Sequence, residues 1–170
     1  ELLRRLERYS LIGMSIAVYK PDVDTRTIAE ISIQSTRSKI TFPVITLKSD
    51  FGFLDVPINS DVIAIDEAQF FGSLVTVQVN HLREQGKIIL ISGLDMDSRQ
   101  SPFGYMGHFM SIADSVTKLT AICQCGREAI YTKKLTGDLT LVDIGDRDKY
   151  VPCCGSCLKQ TVKTLERRAM

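Results

Sequence analysis

Two adjacent carboxylates, Asp66 and Glu67, close an apolar run at residues 62–65 (Val-Ile-Ala-Ile) and precede Ala-Gln-Phe-Phe. Ionised carboxylates only accept hydrogen bonds, so at the mouth of a cleft they can hold a hard cation or take up a proton. The run before them is short and rich in β-branched residues, which suits a strand buried on both faces of a parallel sheet. At the carboxyl end of such a strand the two acids would face the crevice where open α/β sheets bind ligands. A hydrophobic strand ending in Asp-Glu is the Walker B arrangement, in which the Asp holds Mg²⁺ on a nucleotide and a neighbouring carboxylate can act as base. Solvated acids at a strand end would give the same letters, so the remaining residues have to decide.

The second chemical cluster is sulfur. All five cysteines fall between positions 123 and 157. With no secretory signal pattern in the chain, such clustering points to a metal site in a reducing compartment rather than to disulfides. Cys154-x-x-Cys157 has the usual knuckle spacing. Cys123-x-Cys125 is one residue shorter, which leaves Cys153 or Cys154 open as the third ligand. Two knuckles separated by a β-hairpin make a zinc ribbon, and four thiolates around structural Zn²⁺ leave no open position for catalysis. Five buried free thiols are the alternative.

Other elements must position these groups. Residues 1–11 form an amphipathic helix with Leu2, Leu3, Leu6 and Tyr9 on one face, and Glu1 within reach of Arg4 or Arg5. Gly13 stops it, and residues 14–19 read as a strand ended by Pro21. The polar loop 20–26 follows, where Asp24 and Arg26 could meet a ligand or simply pair with each other. Residues 40–47 are β-rich, and Pro43 places them on an edge or in a short strand. After the Asp61 strand comes a helix over about 72–85, with Leu74, Val75, Val79 and Leu82 inward. Residues 87–94 read as another fully buried strand, and a helix around 104–115 carries His108, a packing or surface residue, as His81 is. Three strand–helix alternations with continuous apolar strands give an α/β fold with a parallel sheet. The expected division is a core over 1–117, a zinc ribbon and loop over 118–160, and a charged C-terminal helix over 161–170.

Composition narrows the classes. The chain has 170 residues, 44% hydrophobic and 24% charged, with a net charge of +1. That suits an ordinary globular protein and supplies no global field for nucleic acid or a membrane surface. No apolar run approaches the roughly 20 residues that span a bilayer.

Taken together, residues 20–26, 62–71, 93–104 and 116–123 resemble, in that order, the motifs of the type II (cytosolic, tetrameric) thymidine kinase family. These are its Lys-Pro-x-x-Asp-x-Arg loop, its Val-Ile-x-Ile-Asp-Glu-x-Gln-Phe-Phe strand, its Gly-Leu-Asp-Met-Asp-Phe-Arg-x-x-Pro-Phe-Gly loop and its Val-Thr-Lys-Leu-Thr-Ala-x-Cys segment. The resemblance implies a P-loop NTPase (RecA-like) parallel sheet with helices on both faces, plus a small C-terminal zinc-ribbon and lasso domain. It implies transfer of the ATP γ-phosphate to the 5′-hydroxyl of deoxythymidine, with Glu67 as general base and Asp66 helping to hold Mg²⁺. Asp24 and Arg26 match the active-site Asp-x-Arg loop. Phe70, Leu94 and Phe103 match positions around the thymine ring, while residues 142–150, with Val142, Ile144, Gly145 and Tyr150, match the lasso that closes over the nucleoside. The family further implies a cytoplasmic homotetramer inhibited by deoxythymidine triphosphate, with no nucleic-acid or membrane partner. The sequence departs from the family at Ser98, where an aromatic is usual, at Thr27, where a Tyr is usual, and in the short first knuckle. No Gly-x-x-x-x-Gly-Lys-[Ser/Thr] occurs, so the chain reads as a fragment starting just after a Walker A loop. A pseudo-kinase domain of a larger or tandem chain is the competing expectation, and a zinc-ribbon nucleic-acid module, disfavoured by the charge, is a third.

Overall fold

The computed structural model describes residues 1–23, 41–50, 59–135 and 149–159 in full and residues 32–34 as backbone. The expected C-terminal helix over 161–170 lies outside them. The chain divides into two compact units, residues 1–95 with 103–112, and residues 96–102 with 113–170.

The first unit opens with α1 (Leu2–Leu11), β1 (Ile16–Pro21), β2 (Ser32–Gln34) and β3 (Thr41–Leu47). It continues with β4 (Val62–Ile65), α2 (Leu74–Glu84), β5 (Ile88–Ile91) and α3 (Met106–Ile112). The strands form one sheet in the order β2-β3-β1-β4-β5. Pairing is parallel from β3 through β5, and β2 runs antiparallel to β3. All four residues of β4 are wholly buried, as the apolar run predicts. Its alternate side chains enter two cores. Ile63 and Ile65 join Tyr19, Phe71, Val75, Val79, Leu82, Met106 and Phe109 on the face covered by α2 and α3. Val62 and Ala64 join Leu6, Val18, Phe42 and Leu90 on the face covered by α1, whose Leu2, Leu3 and Tyr9 pack at the rim. Helices therefore lie on both faces.

Three sequence expectations need correction. Residues 40–47 are not an edge strand: β3 is seven residues long and lies between β2 and β1. Its pairing with β1 begins at Val44, one residue past Pro43, so the missing N–H leaves no gap in that ladder. Residues 87–94 are not one fully buried strand. β5 covers only Ile88–Ile91, and of these Leu90 alone is buried. At the end of its sheet among the described residues, β5 has a strand neighbour on one side only. Finally, Leu74 is 41% exposed. The inner face of α2 is Val75, Gln78, Val79 and Leu82, a regular i, i+3, i+4, i+7 stripe that Leu74 precedes by one residue.

In the second unit, β6 (Ala121–Ile122) pairs antiparallel with β7 (Glu128–Ala129). β8 (Tyr131–Lys134) pairs antiparallel with β9 (Tyr150–Cys153). Residues 136–148, between β8 and β9, fall outside the described residues. Among the described residues no helix is long and apolar enough to cross a membrane.

The N-terminal end of β4 is pinned to β1 by a reciprocal bond pair. Asp61 Oδ2 accepts from the Ser15 N–H at 3.0 Å and the Ser15 hydroxyl at 2.6 Å, while Ser15 Oγ accepts the Asp61 N–H at 2.9 Å. The Ser15 hydroxyl and then its N–H hold the Asp61 carboxyl below the ordinary range. A depressed folded value means that this contribution is present above the unfolded carboxylate pKa of about 3.9 and is lost as pH falls through the folded value. Urea denaturation of Asp61→Asn should thus show lower stability than wild type at pH 7, with the gap narrowing below pH ~4. A gap independent of pH would show that ionisation of Asp61 is not involved. Replacing Ile63 by Ala should cost about 2–5 kcal/mol in the same assay, since it empties space in a closed core.

Candidate active site and metal centre

The end of β4 is locked before the chain leaves the sheet. The Asp66 N–H donates to the Tyr19 carbonyl at 2.9 Å, the Ser92 N–H to the Ile65 carbonyl at 2.9 Å, and the Ala68 N–H to the Ser92 carbonyl at 3.0 Å. The carboxyl ends of β1, β4 and β5 are thereby in register, and Asp66 and Glu67 emerge between them. Asp66 Oδ1 accepts the Ser92 hydroxyl at 2.6 Å. Glu67 has φ +52° and ψ +41°. This left-handed conformation is unfavourable for a residue with a Cβ by about 1–2 kcal/mol, and strain of this kind concentrates at functional sites. It turns the backbone from the strand into a 3-10 turn at Ala68–Phe70.

Glu67 Oε2 accepts a hydrogen bond from Gln69 Nε2 at 2.6 Å. Gln69 is 3% exposed, and its Oε1 accepts the Leu94 N–H at 3.1 Å. The rings of Phe70 and Phe103 meet edge to face, 5.4 Å between centroids and 82° between planes. Phe103 is held in turn by its N–H donating to the Asp95 carbonyl at 3.0 Å. Gly104, at φ +52°, lies so close to the Gln69 carbonyl oxygen that a Cβ there would collide with it. At the end of β1, Asp22 Oδ1 accepts from Ser49 N–H at 3.1 Å and Ser49 Oγ at 2.8 Å, tying β1 to the end of β3.

The second unit carries the sulfur site. The Sγ atoms of Cys123, Cys125, Cys154 and Cys157 all lie within 4.8 Å of one another. A zinc ion with Zn–S bonds of ~2.3 Å would space its ligands about 3.8 Å apart, so the cluster is of the right size. Four sulfurs and no oxygen or nitrogen form a soft donor set, which could hold a metal ion such as zinc. The electrostatics agree. Cys125 is drawn down to about 6 by the Arg127 N–H and by the sulfurs of Cys154 and Cys157. Cys157 is pushed up to about 12 by the sulfurs of Cys125, Cys154 and Cys123. Four thiolates this close would repel one another, which is why Cys157 keeps its proton, and a dication at their centre would remove the conflict.

The geometry also separates the two candidates for the third position. Cys154, not Cys153, joins the cluster; the Cys153 thiol is buried and its Sγ lies 3.4 Å from the Cys154 carbonyl oxygen as donor. The short first knuckle works because residues 123–126 fold into a tight turn between β6 and β7. There the Gly126 N–H donates to the Cys123 carbonyl and the Cys123 N–H to the Arg127 carbonyl, both at 2.8 Å. In the second knuckle the Leu158 N–H donates to the Cys154 carbonyl at 3.0 Å, one helical turn that brings Cys157 back to Cys154.

Of the sequence-predicted site residues, Asp66, Glu67, Phe70, Leu94 and Phe103 belong to the first unit, around the carboxyl ends of β4 and β5. Tyr150 starts β9 in the second unit, half-buried and opposite Lys134. Asp24, Arg26, Val142, Ile144 and Gly145, with Thr27, lie outside the described residues. Ser98 sits in a loop organised by Asp97, whose Oδ1 accepts the N–H groups of Arg99 at 2.8 Å and Ser101 at 2.9 Å. Sequence reasoning missed Gln69 and Ser92. A signal for Gln69 was present, as the sole polar residue in an Ala-Gln-Phe-Phe run, whereas a strand-end serine carries none.

Comparison with known proteins follows the same lines. The family model described as "Thymidine kinase" matches residues 1–158. A protein of Porphyromonas gingivalis named "Thymidine kinase" is 35% identical over 162 residues, covering 94% of this chain and 78% of that protein. One of Mycoplasma genitalium with the same name is 39% identical over 160 residues, covering 91% and 74%. "Thymidine kinase a" of Arabidopsis thaliana is 39% identical over 159 residues, covering 90% and 66%.

The cysteine geometry separates two neighbouring thiols experimentally. Elemental analysis should find bound metal in wild type and in Cys153→Ser, and should find it lost in Cys154→Ser. Metal retained in Cys154→Ser would overturn the assignment.

Proposed function

This chain belongs to the thymidine kinase family, and on that premise we propose that it transfers the γ-phosphate of ATP to the 5′-hydroxyl of deoxythymidine, acting as an ATP:thymidine 5′-phosphotransferase. The observation that carries the proposal is the placement of Asp66 and Glu67 where the fully buried β4 leaves the sheet, with the Phe70–Phe103 pair in the same unit. Nothing in the fold or the comparisons favours an inactive domain.

Phosphoryl transfer asks little covalent chemistry of the protein: it needs the acceptor placed in line and the phosphate charge offset. Glu67 takes the role of general base, drawing the proton from the 5′-hydroxyl as that oxygen attacks phosphorus and the bond to ADP breaks. Asp66 is suited to a hard cation, being a carboxylate anchored by the Ser92 hydroxyl with lone pairs to spare. Mg²⁺ arriving with ATP would neutralise phosphate charge, and Asp66 is the residue assigned to hold it. Asp24 and Arg26 complete the assignment as the active-site Asp-x-Arg loop, with Arg26 offsetting charge on the phosphates. Leu94, Phe70 and Phe103 are assigned to the thymine ring, and Val142, Ile144, Gly145 and Tyr150 are assigned to nucleoside binding.

The four-cysteine cluster is assigned structural Zn²⁺. With Cys154 directly following β9, metal binding would fix the end of the β8–β9 pair. Deoxythymidine triphosphate, which carries the product's nucleoside and phosphates together, is proposed as a feedback inhibitor of the same pocket. A homotetramer in the cytoplasm completes the reading.

The test is ATP-dependent phosphorylation of deoxythymidine by the full-length protein beside its Glu67→Gln variant. Loss of a general base should lower turnover by at least ~100-fold while nucleoside binding is largely kept. Equal rates would remove Glu67 from that role, and a wild-type protein that binds deoxythymidine without phosphorylating it would overturn the kinase reading.

A further inference from the structure

Glutamine side chains seldom lie fully buried, and a buried amide must satisfy both its ends. Gln69 does so between two functional segments. One end donates to the Glu67 carboxylate at 2.6 Å and the other accepts the Leu94 N–H at 3.1 Å. Its orientation is fixed by chemistry rather than by choice: a backbone N–H can only donate, so the atom facing Leu94 is the oxygen, which turns the NH₂ toward Glu67.

The surrounding backbone is shaped to admit this amide. A Cβ at Gly93 would collide with Gln69 Oε1, and one at Gly104 with the Gln69 carbonyl oxygen. Two separate loops therefore give up a side chain at the points where they cross Gln69. We infer that Gln69 is a positioning residue for phosphoryl transfer, clamping the Glu67 carboxylate in its working orientation and tying it to the Leu94 loop. The inference rests on the reading of Glu67 as general base.

The choice of an amide has a physical reason. Glu67 leaves its strand in a left-handed conformation with a flexible side chain, and a loosely held base loses rate steeply with small misplacement. A lysine or arginine in Gln69's place would also hold the carboxylate, but as an ion pair that weakens its appetite for a proton. The neutral amide orients it without adding charge. Because its oxygen is anchored on the Leu94 N–H, the base and the segment assigned to the thymine ring share one rigid link.

The test is a double-mutant cycle in the full-length protein, reading kcat and KM for deoxythymidine and ATP. Gln69→Leu removes both hydrogen bonds at similar volume. In an otherwise wild-type background it should lower kcat on the order of 10-fold while leaving both KM values within ~3-fold. Placed on Glu67→Gln, the same change should cost less than ~2-fold further, since the group it positions is already gone. A purely structural role would give equal losses in both backgrounds, and that result overturns the inference while the kinase reading stands. Should Gln69→Leu fail to fold by thermal melting, Gly93→Ala probes the same clamp through Gln69 Oε1. Non-additivity with Glu67→Gln is again expected, and additivity overturns the inference. A wild-type protein that phosphorylates no deoxythymidine overturns the kinase reading and this inference together.

Discussion

A strand buried on both faces can carry no charge along its length, because an unpaired carboxylate in an apolar core costs several kcal/mol. β4 obeys this at every position, with all four residues wholly buried between two cores. The first place where acids can stand is the residue after the last buried one. Asp66 and Glu67 occupy those two positions, and the backbone bonds that lock Ile65, Asp66 and Ala68 to β1 and β5 make their location as rigid as the sheet. The two carboxylates are thus placed by the solubility rules of the core.

The second unit solves a different problem. Among the described residues its paired strands are two to four residues long, too short to supply a substantial core. The buried cluster there consists of Cys123, Ala129 and Cys154, with Cys157 alongside. Four convergent sulfurs here could hold a metal ion, and small domains with little apolar area can draw folding free energy from a bound metal. Arg127 adds a link between the two knuckles by donating to Ser156 Oγ at 2.9 Å.

How far the sequence could be read follows from which interactions are local. The Val-Ile-Ala-Ile run identifies β4 and its burial because burial on both faces leaves a continuous apolar signature. The α1 stripe and the ion pairs of Glu1 with Arg4 and Arg5 are equally local, and both are present. Pro43 misled because its effect depends on where β3 meets β1, a register that no single strand encodes. Leu94 was read into a buried strand because apolar residues continue past the point where pairing stops. At the sulfur site, spacing gave the ligand class but not the choice between Cys153 and Cys154, since adjacent residues at a strand end differ in direction rather than in type. Gln69 and Ser92 act across 25 and 26 positions, on Leu94 and Asp66 respectively, and no pattern in one chain announces such a pairing.

The left-handed turn at Glu67 sets local preference against chemistry at a single residue. Glycine or asparagine would sit there more comfortably. Laboratory selection for heat resistance alone would accordingly drift toward those residues and discard the carboxylate, so that endurance would rise at the expense of the proposed base.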